Sequence, residues 1–383
     1  MTYLDNAATT PLRPQARDRW LEVQDWLQTH PGNPNALHSG GRAARRLLED
    51  AREAVAYHLG VERPEVVFTS GATESNALAI AGGFRAMKTR TGRNLVQVCA
   101  ADHPSTRNQR GVVEREGGQW QVLDIDRDTR LLTDQVQSNA AVISVASVCS
   151  ETGAIQPMEQ INQARGGGAE RPLLHVDASQ AIHTEAIDVR ERDWDLVTVA
   201  GHKVGAPVGV GALVVRRGVK ILTDRPGGDQ ENKVRSGTQD VAGACALAAA
   251  LEAVAQERDA LVQRCKRFKE QIIAQLPPGV RPTLATGPVA PTILHLSVPT
   301  AHPEAVLLGL DRVGIMASAG SACHAGVTRP SEVLLAAGRC EREALGVLRV
   351  SFGPLTTMVD VEALSAALPE VIATAQQLDA LDH

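Results

Sequence analysis

The chain has 383 residues, 43% hydrophobic and 22% charged, a globular composition that excludes disorder as its main state and sets an expectation of about two domains. Its 39 basic and 44 acidic residues are mixed along the chain for a net charge of -5, which leaves no electrostatic footprint for non-specific nucleic-acid binding. The six cysteines form no C-x-x-C pair, which argues against a zinc ribbon or a four-thiolate cluster and fits reduced thiols in a cytosol.

The chain opens irregularly with YLDNAATTP and no basic-then-apolar leader, and its longest nearly apolar stretch, 244–255, is interrupted by Glu252. A soluble, unexported, cytoplasmic protein that meets no membrane is therefore expected. A helix-like stretch over 17–27, the loop GNPNALHSGG carrying Asn33, and a charged helix from Arg42 follow. From about residue 60 one theme repeats: a β-branched run, a turn rich in Gly, Asp or Asn, and a helix-like segment. Runs at 66–69, 95–98, 141–145, 173–176, 196–199 and 210–215 are apolar on both faces. They predict an α/β fold with a buried sheet and helices on both sides. After RSGT at 235–238 an Ala- and Leu-rich helix pattern runs over 241–275 to an LPPG turn. The tail alternates strands (293–297, 348–352) with helices (303–313, 361–378) and predicts a smaller α+β lobe. The expected organisation is an N-terminal segment 1–15 packing with the small lobe, a large domain 16–250 and a small C-terminal domain 251–383.

Sites in such sheets gather at the carboxyl ends of strands, and three segments there carry chemistry. FTSGATESN joins a strand to a helix start at Ala72 and Thr73; free amides and the helix dipole suit a phosphate, and an ordinary capped helix explains the same residues. HVDASQ sets Asp177 just beyond an apolar run, where a carboxylate needs a cationic or hydrogen-bonding partner. A protonated heteroaromatic nitrogen is one such partner; a salt bridge or an N-cap role is the plainer alternative. AGHK ends the next run with His202 and Lys203. An amine at a sheet's carboxyl edge forms a Schiff base when desolvation or cationic neighbours lower its pKa, and otherwise is simply solvated. Together the three segments match the fixed contacts of pyridoxal 5'-phosphate: phosphate cradle, pyridinium partner and Schiff-base amine.

At this point the chain resembles the cysteine desulfurases of the class V aminotransferase group. The resemblance rests on eight ordered motifs: DNAATTP, GNPNALH, FTSGATESN, HVDASQ, GHK, RSGTQDVAG, SAGSAC and LRVSF. It implies a fold-type I pyridoxal-phosphate transferase, with a mainly parallel sheet in the large domain and the catalytic-cysteine loop in the small one. It further implies that Lys203 holds the cofactor and moves protons, Asp177 pairs with the pyridine nitrogen, and Gln180 bonds the phenolic oxygen. His103, in AADHPST, would stack on the ring. Ala72, Thr73 and His202 would bind the phosphate together with Thr238 from a second subunit, so a homodimer is implied. Arg349 would grip the substrate carboxylate, with Asn33 adding a hydrogen bond. Cys323, in SAGSACHAGVTRPSEV, would take sulfur from L-cysteine as a persulfide, release L-alanine and pass the sulfur to an acceptor protein. That segment's small and turn-forming residues predict a loop, and His324 adjoins the thiol in sequence only. The acceptors served by similar enzymes include iron–sulfur scaffolds and tRNA, thio-cofactor and DNA sulfur-modification systems.

Two departures stand out. Cys149-Ser150-Glu151 replaces the usual Asn-Asn-Glu, so Ser150 occupies the place of an asparagine expected near the cofactor ring and substrate carboxylate, and Ala200 replaces a serine before Gly-His-Lys. A neutral hydrogen bond contributes roughly 0.5–1.5 kcal/mol, so neither change abolishes cofactor binding. The competing readings are a selenocysteine lyase or another class V lyase or aminotransferase, and a non-catalytic partner-binding subunit. The mobile thiol expected of the SAGSAC segment favours the desulfurase over the former. Lys203, Asp177 and Cys323 argue against the latter.

Overall fold

The runs that are apolar on both faces become strands of one buried sheet. The computed structural model describes residues 1–168, 170–319 and 329–381. In chain order its first elements are β1 (Thr2–Tyr3), α1 (Pro14–Thr29), α2 (Ser39–His58), β2 (Val66–Thr69), α3 (Ala72–Ala77), α4 (Gly83–Thr91), β3 (Leu95–Cys99), α5 (Pro104–Arg107), α6 (Arg110–Arg115) and β4 (Gln119–Leu123). Next come β5 (Val142–Ala146), α7 (Met158–Ala164), β6 (Leu173–Asp177), β7 (Leu196–Ala200), β8 (Gly211–Val215) and the long α8 (Val241–Ala274). The tail holds β9 (Arg281–Pro282), β10 (Ile293–Ser297), α9 (Pro303–Arg312), β11 (Ile315–Met316), α10 (Glu332–Ala336), α11 (Glu341–Leu345), β12 (Val347–Ser351) and α12 (Met358–Leu381).

The main sheet has the order β2-β8-β7-β6-β5-β3-β4. Strands β4, β3, β5, β6 and β7 are parallel, whereas β8 runs against both β7 and β2. The fold is thus the α/β arrangement of fold-type I enzymes, mainly parallel with one reversed strand, β8, next to the edge. β4 is a strand that the run pattern missed. It lies at the edge, and the polar Gln119 and Gln121 and the exposed Val122 interrupt any apolar signal. In β5 the pleat sends Ile143 and Val145 to a core shared with α2 and α8, and Val142 to a second core with Phe84 and Met87 of α4.

A separate antiparallel sheet, β12-β10-β9, carries the third core. α8 connects the two regions, since its residues up to Val254 belong to the large-sheet core and those from Leu261 onward to the small-sheet core. The N-terminal segment links them a second time. β1 pairs with β11, Leu4 is buried in the small core, and Ser351 N donates to Leu4 O. A few residues on, Thr10 N donates to His202 O and Arg13 N to Gly205 O, which pins the same strap to the turn after β7. Among the described residues no helix is long and apolar enough to cross a membrane.

Candidate active site

Two parallel neighbours, β6 and β7, end side by side with Asp177 opposite Thr198, and the chemistry-bearing residues lie just beyond. Asp177 is buried, and both its oxygens accept hydrogen bonds: Oδ2 from Asn76 Nδ2 at 3.0 Å and Oδ1 from Ser179 N at 3.0 Å. Asn76 also donates to Ser105 Oγ at 2.9 Å, and Ser105 Oγ lies 2.8 Å from His103 Nδ1. One asparagine therefore ties the end of β6 to the start of α5, where His103 caps the helix and keeps an exposed edge. Partial desolvation in the cleft, then Lys203 and Arg107, pull the His103 pKa down, while Asp177 pushes it up. Beneath Asp177, His175 bonds Ser144 Oγ at 2.8 Å and Thr198 Oγ1 at 3.0 Å, a row that locks three strands together. Burial lowers the His175 pKa to about 4, so this imidazole is neutral.

Lys203 ends the single turn of 3-10 helix, Gly201–Lys203, that follows β7. Gly201 is needed there, because a Cβ would meet Val210 O at 2.3 Å. The Lys203 ammonium donates to Ala7 O, which also accepts from Gln180 Nε2 at 2.9 Å. His183 Nε2 holds the Lys203 carbonyl at 2.5 Å, its own pKa lowered to about 4 by burial. Burial, reinforced by the Arg349 charge and opposed by Asp177 and Asp5, lowers the Lys203 pKa to about 8. This amine reaches its neutral, nucleophilic form near physiological pH.

Ala72 and Thr73 open α3 after Gly71, whose φ of 143° lies where glycine is favoured, and no side chain caps that helix start. Gly211 lets the two backbones meet, since its Cβ would sit 2.7 Å from Gly71 Cα. Glu74, in the first turn, would oppose an anion. Its charge is taken up by Arg225 and Arg235, each at 3.2 Å, and by Ser70 N at 2.6 Å. His202 Nδ1 reaches Thr9 Oγ1 at 3.1 Å. Thr238 is exposed, and so is Asn33, whose Oδ1 accepts from Asn35 N at 2.9 Å within its own loop.

The facing wall comes from the small sheet. Arg349, in β12, is buried; its Nη1 donates to Ser150 O and its Nη2 to Asp5 Oδ1, both at 2.9 Å. Ser150 thus meets Arg349 through its carbonyl. Asp5 and the Ala7 carbonyl are site groups that the residue-by-residue reading missed, although the DNAATTP motif containing them was its first signal. Asn76, inside FTSGATESN, was missed likewise. Cys323 and His324 lie outside the described residues. Of the other cysteines, Cys99, Cys149, Cys245 and Cys265 are buried and Cys340 is exposed. Burial raises all four buried thiols, Cys265 to about 12.

With this geometry in place, comparison with known proteins is informative. The family model described as aminotransferase class-V matches residues 2–364. An IscS-like cysteine desulfurase of Mycobacterium tuberculosis is 35% identical over 390 residues, covering 98% of each chain. Among solved structures, a NifS-like protein superposes with a TM-score of 0.87 at 26% identity, covering 98% of this chain and 99% of the other. SspA in complex with cysteine has a TM-score of 0.78 at 28% identity, covering 93% of this chain and 100% of that one.

Proposed function

From a chain that belongs to the class-V aminotransferase family and, within it, to the cysteine desulfurases, we propose the residues that do the work. The protein is a pyridoxal-phosphate-dependent cysteine desulfurase, a sulfurtransferase that takes L-cysteine to L-alanine. The observation that carries the assignment is the meeting of Lys203 and Asp177 at adjacent strand ends, with Arg349 held facing them by Asp5.

The residues present fit the cofactor: a buried carboxylate, a lysine brought near neutrality, and a helix start with no side-chain cap. When bound, pyridoxal phosphate supplies a carbonyl for the substrate amine and an electron sink for its α-carbon. Lys203 holds it and moves the proton at the α-carbon. Asp177, oriented by Asn76 and Ser179 N, keeps the pyridine nitrogen protonated. Gln180 bonds the phenolic oxygen, His103 covers the ring face and Ser150 lines its edge. Ala72, Thr73 and His202 take the phosphate, joined by Thr238 of a second copy. The exposure of Thr238, with that of the apolar Leu37 and Val208, supports a homodimer.

Arg349 binds the substrate carboxylate, and Asn33 adds a hydrogen bond. Cys323 attacks the substrate sulfur: an S–S bond forms as the substrate C–S bond breaks, and proton uptake at the carbon yields alanine. The enzyme persulfide passes to an acceptor protein. L-Cysteine as ligand is supported by the cysteine complex of SspA. A cytoplasmic setting is supported by the four buried free thiols. For the domains we keep the divisions 1–15, 16–250 and 251–383, supported by the passage of α8 from one core to the other.

Borohydride reduction of the holoenzyme followed by peptide mass spectrometry tests the site. The pyridoxyl group is expected on Lys203; its recovery on Lys220, Lys233 or another lysine overturns the assignment.

A further inference from the structure

Behind Arg349 lies a pair of buried titratable side chains that the reaction described above does not use. Glu151 follows Ser150, the residue whose carbonyl accepts from Arg349, and His295 in β10 sits directly across from Arg349 in the small sheet. Two independent backbone connections thus bring the pair to the substrate-binding arginine. Glu151 Oε1 and His295 Nε2 face each other at 4.0 Å, with side-chain exposures of 8% and 0%. That separation exceeds a hydrogen bond, and neither atom has a partner among the described residues. Arg349 Nε is buried and unpartnered as well. Buried polar atoms are nearly always satisfied, so a facing pair of orphans, with a third on the strand partner of His295, calls for an explanation.

We infer that Glu151 is a positioning residue for the substrate: kept as the neutral acid against His295 it leaves Arg349 to the substrate carboxylate, and on ionising it competes for Arg349. The inference rests on the reading of Arg349 as the carboxylate-binding residue.

The surroundings set the direction. Burial pushes the Glu151 carboxyl up to about 7, against the pull of the Ser331 hydroxyl, Arg349 and Arg107 and with the added push of Glu332. The Cys149 thiol is a further neighbour, raised by burial and by Glu151. His295 cannot supply the missing cation. Its Nδ1 lies 2.8 Å from Thr283 Oγ1, and burial, Arg349 and Arg339 depress its pKa to about 3. An ionised Glu151 therefore turns to Arg349 and Arg107. Asp5 already bonds one amino group of Arg349, and a second carboxylate lowers the attraction left for the substrate. In the folded protein Glu151 binds its proton more tightly than in the unfolded chain, so the stabilisation from its neutral form is fully present below about pH 4.5, the ordinary carboxyl value, and is lost as pH rises through about 7, where the folded carboxyl ionises.

The test measures KM and kcat for L-cysteine from about pH 6 to about pH 8.5, comparing the holoenzyme with its Glu151→Gln variant. Taking the ratio of the two KM values cancels the titration of substrate and Lys203. The ratio, parent over variant, is expected to rise about fivefold across this window, with little change in the kcat ratio. Infrared difference spectra of the parent should lose a protonated-carboxyl band over the same range, and Glu151→Gln should lack it. His295→Asn, whose amide can donate to the carboxylate, should move the KM rise to lower pH. Parallel pH profiles with no carboxyl band would overturn the inference. Arg349→Gln separates the two levels: an unchanged KM there sinks the reading of Arg349, whereas a raised KM with parallel Glu151 profiles sinks this inference alone.

Discussion

The floor and the wall of the cleft are built on different principles. On the floor, Asp177 has donors on both oxygens, and its position follows from where β6 stops. On the wall, Arg349 is held by Asp5 and the Ser150 carbonyl, groups 344 and 199 residues away in sequence, and orphaned atoms collect around it. The floor is set mainly by where the sheet strands end, with Asn76 and the Ala7 carbonyl steadying the side chains placed there. The wall depends on the N-terminal strap, residues 150 and 151, and two strands of the small sheet meeting correctly. The difference teaches that cofactor attachment and substrate recognition can be disturbed separately here.

The largest expected effect breaks the floor. Lys203→Ala should lower alanine formation by on the order of a thousandfold or more and release the cofactor on dialysis, read from the visible absorbance. Survival of borohydride-fixed cofactor in that variant would contradict the assignment.

Cys323→Ser should bring alanine and enzyme-bound sulfane sulfur to background, since a hydroxyl cannot replace a thiolate in this exchange. The spectral response to added cysteine should persist, because floor and wall are both intact. Normal alanine production in Cys323→Ser, with loss instead in the exposed Cys340→Ala or the buried Cys149→Ala, would move the nucleophile elsewhere.

Breaking the wall should be milder and of a different kind. Hydrogen bonds to charged groups contribute about 1.5–3 kcal/mol, so Arg349→Gln should raise KM for cysteine roughly 10- to 100-fold. Cofactor content should stay unchanged; loss of cofactor together with substrate affinity would show that the two surfaces are not separable.

The smallest effect sharpens the floor by pH. Because burial and Arg349 hold Lys203 at about 8, its neutral fraction rises as pH climbs through that value. Capture of pyridoxal phosphate by apoprotein should therefore accelerate about tenfold from pH 7 to pH 9 and then level off. An acceleration that continues toward pH 10 would place the amine at its ordinary value.

Much of the floor was legible without coordinates. Asp177 and Lys203 each follow an apolar run, and strand ends in an α/β sheet are where sites form. The fold class was legible for the same reason: apolar runs of four to six residues separated by turn residues admit few other packings. β4 was not legible, because an edge strand is only partly buried: Gln119 and Val122 are exposed and the polar Gln121 breaks the apolar run. Nor did spacing reveal Asn76 as the group that orients Asp177, since an asparagine in a helix carries no periodic signal.

What the sequence alone determined is therefore local: the strand runs, the helix start at Ala72, and the turn ending in Lys203, each set by hydrophobic period and by glycine where backbones must approach. The eight motifs named the chemistry but not their mutual contacts. Tertiary structure alone decided that the Ala7 carbonyl receives both Lys203 and Gln180, that Asp5 holds Arg349, and that Glu151 Oε1 and His295 Nε2 face each other with no partner among the described residues. Those contacts join residues more than a hundred positions apart. The free energy that forms them comes from burying whole surfaces together, and no short stretch of sequence encodes it.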